Sequence, residues 1–436
     1  MQLRERLVNG VRRYVGLIRA MAGQLHGIGN EVHHLRERVA NLETAVSRHI
    51  DASFQAPEPK PLEAPAVYQP VWSDPMSEAH AAASSFPIPK FWEPNFWEAM
   101  VQIALRDYCK PGDIAFDVGA NAGALSAIMS RHVGPRGIVC AFEASPRIID
   151  KTHYNLVQAG CSNVSLYYRA VYHTSHEIVT LYPGDHLNDS IYNDLGAEGG
   201  ASYRVETLAL DDFVAATGLM PRIIKMDIEG AELDALKGAT RILADGKPIL
   251  ILEQSPGDMT CHELLTGAGY VAVDLSNYRR IRSAADFDAG ISIANILFIH
   301  ESQAAEDRYF NAGEPVEVAR LTPEMFAIAP NGNVSLKTHF ELPAGRYVCR
   351  TEFTAEGRDN EIFAGIDTDR GRVQRYHTYS RLMAETYRDW AFNMRVAGQI
   401  TPYIEFVRGS DPSFRWNGAV IYRYAGFDGM HSPVVF

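Results

Sequence analysis

The stretch that most restricts the fold is residues 113–130, DIAFDVGANAGALSAIMS. Its first half is apolar and ends at Asp117, its second half is helix-forming, and Gly119, Asn121 and Gly123 stand between. A strand that turns into a helix within a few residues is the building unit of open α/β sheets. Glycines in such a turn allow close backbone approach to a ligand, and the helix start offers free amides. The following β-prone run, GIVCAFEASP, sets Glu143 at its end. An acid there is the partner of a ribose diol in nucleotide-binding sheets.

A dinucleotide site asks for G-x-G-x-x-G. Here Asn121 takes the second glycine position and Ala124 the third, so a diphosphate loses its closest approach. A cofactor with a ribose and no phosphates fits better, and S-adenosylmethionine is the obvious one. The plainer reading is a turn in an α/β domain that binds nothing.

The alternation of β-rich and helical stretches continues over residues 91–302. DIAFDVG, GIVCAFE, NVSLYYRAV, RIIKMDI, PILILEQ, YVAVDL and NILFIH predict a doubly wound, Rossmann-like sheet of seven strands with a late antiparallel hairpin. Past residue 320 the helical pattern ends. Residues 321–436 hold aromatic-rich alternating runs separated by Gly, Asp, Asn and Pro, which predicts an antiparallel β-sandwich, with 303–320 as a linker.

Residues 1–50 carry apolar positions from Leu7 through Val46 at alternating spacings of four and three. One register is mostly β-branched and holds Val11, Ile18, Val32, Val39 and Val46, and the other holds Leu7, Leu35 and Leu42, the pattern of a parallel coiled coil and hence of a homo-oligomer. Gly16, Gly23, Gly27 and Gly29 weaken it, and the bland alternative is one amphipathic helix. Residues 51–90, rich in Pro, Ala and Ser, read as a linker.

A formal net charge of −12 argues against nucleic acid as the main partner. Five scattered cysteines without C-x-x-C spacing suggest a reducing compartment and neither a disulfide framework nor a zinc site. No apolar run is long enough to predict stable membrane insertion, and the expected location is the cytoplasm.

The motifs FDVGANAG, VCAFEASP, NVSLYYRAV, VETLALDDF, IIKMDIEGAELDALKGA and ILILEQ, in that order over roughly residues 110–275, resemble the FkbM-type S-adenosylmethionine-dependent methyltransferases. The K-x-D-x-E-G-x-E run is the most diagnostic; the family often has Pro where Ala144 stands. The resemblance implies that Asp117, Gly119, Asn121 and Gly123 hold the methionyl end of the cofactor. It sets Glu143 at the ribose, with Ala170 and Val171 flanking adenine. It also implies O-methylation of a hydroxyl-bearing acceptor, with a sugar or glycan first.

Lys225, Asp227 and Glu229 would share one face if the strand ran on at period two, with Glu253 of the next strand converging on them. Three readings stay open. Asp227 or Glu229 is the general base, with Lys225 balancing charge. Alternatively, Asp227, Glu229 and Glu253 hold a divalent cation, the less favoured case. Or Lys225 and Asp227 are a structural ion pair, with Glu229 or Glu232 capping a helix. Lesser candidates are Asp211 and Asp212 at a strand-to-helix turn and Asp189 and Ser190 beside the acceptor. Cys261 and His262 read as ordinary helix residues, and His33 and His34 as solvated ones. Tyr376, Tyr379, Tyr387, Trp390, Tyr403 and Trp416 suggest either sandwich core or a sugar-stacking platform. A cofactor-binding but inactive scaffold for glycan assembly is the alternative from a different class.

Overall fold

The computed structural model describes residues 98–183, 189–192, 202–287, 293–329, 333–337, 339–354, 360–368, 371–380, 387–394, 397–408 and 415–428. The heptad segment 1–50, with His33 and His34, and the segment 51–90 lie outside the described residues, as do the side chains of Tyr376, Tyr379, Tyr387 and Trp390.

Helix α1 (Ala99–Tyr108) leads into β1 (Ile114–Val118), α2 (Ala124–Val133), β2 (Ile138–Glu143), α3 (Ile149–Gln158) and β3 (Val164–Tyr168). Next come β4 (Ala170–Val171), β5 (Ile178–Leu181), β6 (Tyr203–Leu208), α4 (Leu210–Thr217), β7 (Ile223–Met226) and α5 (Glu232–Lys237). The α/β part closes with β8 (Ile249–Gln254), α6 (Thr260–Gly267), β9 (Tyr270–Asp274), β10 (Arg280–Ile281), β11 (Ala294–His300) and α7 (Glu301–Ala304).

The main sheet has the order β3-β2-β1-β7-β8-β11-β9-β10. Its pairings from β3 to β8 are parallel, and β11 runs antiparallel to both β8 and β9. The seven expected runs supply every strand except β10. The run NVSLYYRAV breaks at Arg169, because β4 leaves the main sheet to pair with β6 in a small sheet of order β4-β6-β5.

Strands buried on both faces read as continuous apolar runs, and alternate residues feed two cores. Ala115, Val139, Ile223 and Ile251 face one core; Phe116, Cys140, Ile224 and Leu250 face the other.

The C-terminal part comprises β12 (Val316–Leu321), β13 (Phe326–Ile328), β14 (Val334–Leu336), β15 (Phe340–Leu342) and β16 (Gly345–Thr354). These are followed by β17 (Asn360–Thr368), β18 (Gly371–Ser380), β19 (Tyr387–Met394), β20 (Gly398–Arg408) and β21 (Arg415–Arg423). They form two antiparallel sheets, β12-β21-β16-β19 and β13-β14-β20-β17-β18, with β15 on β20. Of the suggested aromatic platform, Tyr403 and Trp416 are buried, the latter against Phe326.

The first core does not stop at the α/β sheet. It continues through α1 into Leu321, Val334, Tyr347, Phe392 and Ile421 of the C-terminal sheets. Within 303–320, expected as a linker, Tyr309, Phe310 and Ala312 are buried in that core and β12 begins at Val316. Helix α1 is the joint. Residues Met100 through Leu105 are all buried, as an apolar helix packed on every side must be. At its far end the Arg346 guanidinium of β16 donates to Asp107 at 2.6 Å and lies over the Phe427 ring at 4.5 Å. Tyr309 also donates to Asp107, and Tyr108 to Asp307. Among the described residues no helix is long and apolar enough to cross a membrane.

Candidate active site

The carboxyl ends of β1, β2 and β7 border a pocket of about 660 Å³ of empty space, lined by Gly119, Asn121, Glu143, Ala170, Val171, Asp227 and Glu229 among others. Ligand sites of open α/β sheets occupy this end.

Asp117, near the end of β1, is 1% exposed and accepts from Ser126 Oγ at 2.5 Å. Its other oxygen is buried and has no hydrogen-bond partner among the described residues. Burial pushes its carboxyl up to about 6, against the pull of Lys225 and Ser126. Gly119, at φ +83°, is required by protein contacts: an added Cβ would lie 1.8 Å from the Asp227 carbonyl oxygen. Gly123, at φ +84°, packs against Leu156 and Thr152. Both glycines were expected to make room for a ligand; their missing side chains make room for the protein itself. Asn121 takes the left-handed conformation between them.

Glu143 ends β2 and is 7% exposed. One carboxylate oxygen accepts from the Asn121 amide and the other from the Ser145 amide, both at 2.7 Å. Burial raises its pKa, and those two amides hold it back. Ala170 and Val171 are buried strand residues on the pocket wall. Asp189 lines the same pocket, accepting from Ser145 Oγ at 2.5 Å and pairing with Arg147. Ser190 Oγ donates to the Glu229 carbonyl at 2.7 Å.

The expectation that Glu229 shares a pleated face with Lys225 and Asp227 is corrected here. Strand β7 stops at Met226, and residues 227–231 form a turn with Glu229 at φ +54° and Gly230 at φ +99°. Glu232 fixes the turn by accepting from the Ile228 amide at 2.7 Å and the Gly230 amide at 3.0 Å. Lys225 is 2% exposed, lies level with Asp117 on the neighbouring strand, and donates to Asp227 Oδ2 at 2.8 Å. Burial opposes its charge, but Asp227, Glu98 and Asp117 outweigh it and raise its pKa.

Glu98, immediately before α1, is the residue that the sequence reading passed over. Its Oε2 lies 3.9 Å from Lys225 Nζ. It stands in an aromatic, proline-containing run, FWEPNFWEAM, with no strand end or glycine turn to mark it. Desolvation, then nearby acids, raises Glu98 and Glu253 against the pull of Lys225. At the rim, desolvation followed by the Asp227 and Glu232 carboxylates pushes Glu229 up to about 7. Among the described residues no group of three His, Cys, Asp or Glu side chains is placed to hold a metal ion.

The other candidates have local roles. Asp211 accepts from the Arg241 and Ile242 amides at 2.9 and 3.0 Å, capping the π-helical turn Ile242–Gly246, and Asp212 accepts from Ser175. Burial pushes the Cys261 thiol up to about 12, and His262 is buried against the Ile281 carbonyl.

The family model described as methyltransferase FkbM domain matches residues 117–271. The hexuronic acid methyltransferase AglP of Haloferax volcanii is 28% identical over 140 residues, 32% of this chain and 55% of that protein, so the chain spans about half the length of this curated relative. A solved methyltransferase FkbM from Methylobacillus flagellatus is 19% identical, with 43% of each chain covered and a TM-score of 0.29. Fibrillarin of Aeropyrum pernix, solved with S-adenosyl-L-methionine, is 13% identical over 46% of this chain and 74% of its own, with a TM-score of 0.29. By the family match, and with four of the six motifs contributing to one pocket, residues 117–271 are a methyltransferase FkbM domain.

Proposed function

We propose that the chain is an S-adenosylmethionine-dependent O-methyltransferase acting on a hydroxyl of a sugar, glycan or similar polyhydroxylated acceptor. The observation that carries this reading is one pocket at the strand ends with Glu143 on one wall and the Asp227–Glu229 turn on the other, inside the matched domain. The relative that methylates a hexuronic acid supports a sugar acceptor.

The residues suit the cofactor. Asp117 is buried behind the pocket wall, next to the lining residues Val118 and Gly119, and its unpartnered oxygen is an acceptor for an ammonium group there. The Glu143 oxygens each keep a lone pair for a hydroxyl donor after accepting one amide. Gly119 and Asn121 on the pocket wall face the methionyl end, with Gly123 behind them at the start of α2, and Ala170 and Val171 form an apolar wall for a flat ring.

The bound cofactor supplies an electrophilic methyl group. The protein's part is to place the acceptor hydroxyl, worth up to about 7–11 kcal/mol in well-oriented reactions, and to take its proton. Glu229, at the rim and titrating near neutrality, is the better-poised base; Asp227 is tied to Lys225 and orients the site. Glu253 adds to the acidic surround. Around this centre we assign residues 1–50 to a coiled coil that makes a homo-oligomer. We assign 321–436 to an accessory β-sandwich, and the protein to the cytoplasm.

The test is incubation of the full chain with methyl-labelled S-adenosylmethionine and a panel of neutral and acidic oligosaccharides, with product analysis by mass spectrometry and NMR. A methyl ether on a sugar hydroxyl is expected. Transfer to nitrogen or carbon, or cofactor binding without transfer across the panel, overturns the O-methylation reading.

A further inference from the structure

We propose that Glu98 is a positioning residue of this site, acting through Lys225, and that Arg346 of the C-terminal sheets keeps it there by fixing the far end of α1. The inference rests on the reading that the pocket takes S-adenosylmethionine. Both residues lie outside the segment 117–271.

Glu98 occupies the N-cap position of α1, where a side chain ordinarily accepts from the first free amides. Its carbonyl does accept from the Gln102 amide at 3.0 Å, but its carboxylate makes no capping bond. The carboxylate instead reaches toward Lys225 Nζ, with Oε2 buried and lacking a hydrogen-bond partner among the described residues. The backbone is left-handed, φ 45° and ψ 49°, which a residue with a side chain adopts only at a cost. Both features fit a residue placed for the lysine and not for the helix.

Lys225 therefore meets carboxylates from three directions: Asp227 from its own turn, Asp117 from β1 and Glu98 from α1. Glu229 and Glu253 complete the acidic surround, with Glu232 below the turn. Helix α1 is buried from Met100 to Leu105, so what holds its last turn holds its first. That hold is the Arg346–Asp107 pair, whose side chains are 3% and 4% exposed.

The test uses the full-length protein and follows S-adenosylmethionine affinity by calorimetry as a function of pH. Wild-type affinity is expected to rise with pH as the surrounding acids lose protons and favour a cation. Glu98→Gln removes a like-charged neighbour of Glu229 and Glu253, so the midpoint of that rise is expected to fall by about one unit. Glu98→Asp, which keeps the charge, should hold the midpoint near wild type. Arg346→Met, far along α1, should move it in the same direction as Glu98→Gln; if that variant does not fold, Tyr309→Phe loosens the same clamp more gently. An unchanged midpoint in Glu98→Gln overturns the role of Glu98. An unchanged midpoint in the folded clamp variant overturns the role of Arg346. Absence of binding by the wild type at every pH removes the cofactor reading and this proposal with it.

Discussion

The ammonium of Lys225 lies 2.8 Å from the carboxylate of Asp227, although the strand carrying the lysine ends at Met226. The Asp227 amide still donates to the Val118 carbonyl at 3.0 Å, so the ladder places its backbone and the ion pair aims its side chain. Glu229, two residues on, is left outside that pair and at the pocket rim.

This division of labour predicts different phenotypes. Glu229→Gln should lower turnover by about 10²–10⁴-fold and abolish the acidic limb of the kcat/KM profile near pH 7, with stability little changed. Asp227→Asn should instead weaken both turnover and stability, because Lys225 keeps its charge with one partner fewer. Retention of the pH limb in Glu229→Gln would move the base elsewhere.

Gly119→Ala should destabilise the fold by well over about 1 kcal/mol, since the residue needs φ +83° and its Cβ would overlap the Asp227 carbonyl oxygen. Urea unfolding measures the loss. Because the clash falls on the Asp227 turn, cofactor affinity should fall with it.

The acids of the site should give an unusual stability profile. An acid raised above its unfolded value stabilises the fold while protonated in both states, and that contribution is lost as pH climbs toward the folded value. Glu229 sets a window from 4.5, the ordinary Glu value, to about 7, and Glu253 extends it upward. The melting temperature of the ligand-free protein should therefore decline across that window, and Glu253→Gln should flatten the decline. A melting temperature that rises steadily through the window would contradict the assignment.

Arg346→Ala leaves Asp107 buried beside Tyr309 without its cation, which should cost about 3–5 kcal/mol in chemical denaturation. Cutting the chain after residue 302 should be worse still. It strips the partners of α1 and of the first core, and the remainder should lose near-ultraviolet circular dichroism while retaining secondary structure.

The main sheet was legible because its strands are buried on both faces and so appear as unbroken apolar runs. The turn after β1 and the acid after β2 were legible because short spacing ties them to strand ends. Strand β4 was hidden, since two residues carry no periodicity and Arg169 looks like one more strand position. The turn at 227–231 was hidden because Glu229 takes a conformation usually left to glycine. Periodicity also tells which face is buried but not what covers it. The shared core, the Arg346 clamp and Glu98 depend on partners far apart in the chain, and no local pattern announces them.

Asp107 and Arg346 are separated by 239 residues, and this has a consequence for synthesis. Helix α1 leaves the ribosome before any strand of the main sheet, yet part of its socket is made by β16 and β19, which come near the end. At elongation rates of about 5–20 residues per second, the helix waits on the order of ten seconds or more with apolar surface uncovered. A nascent chain of this protein thus carries uncovered apolar surface until its last sheets emerge, however quickly the central domain itself can form.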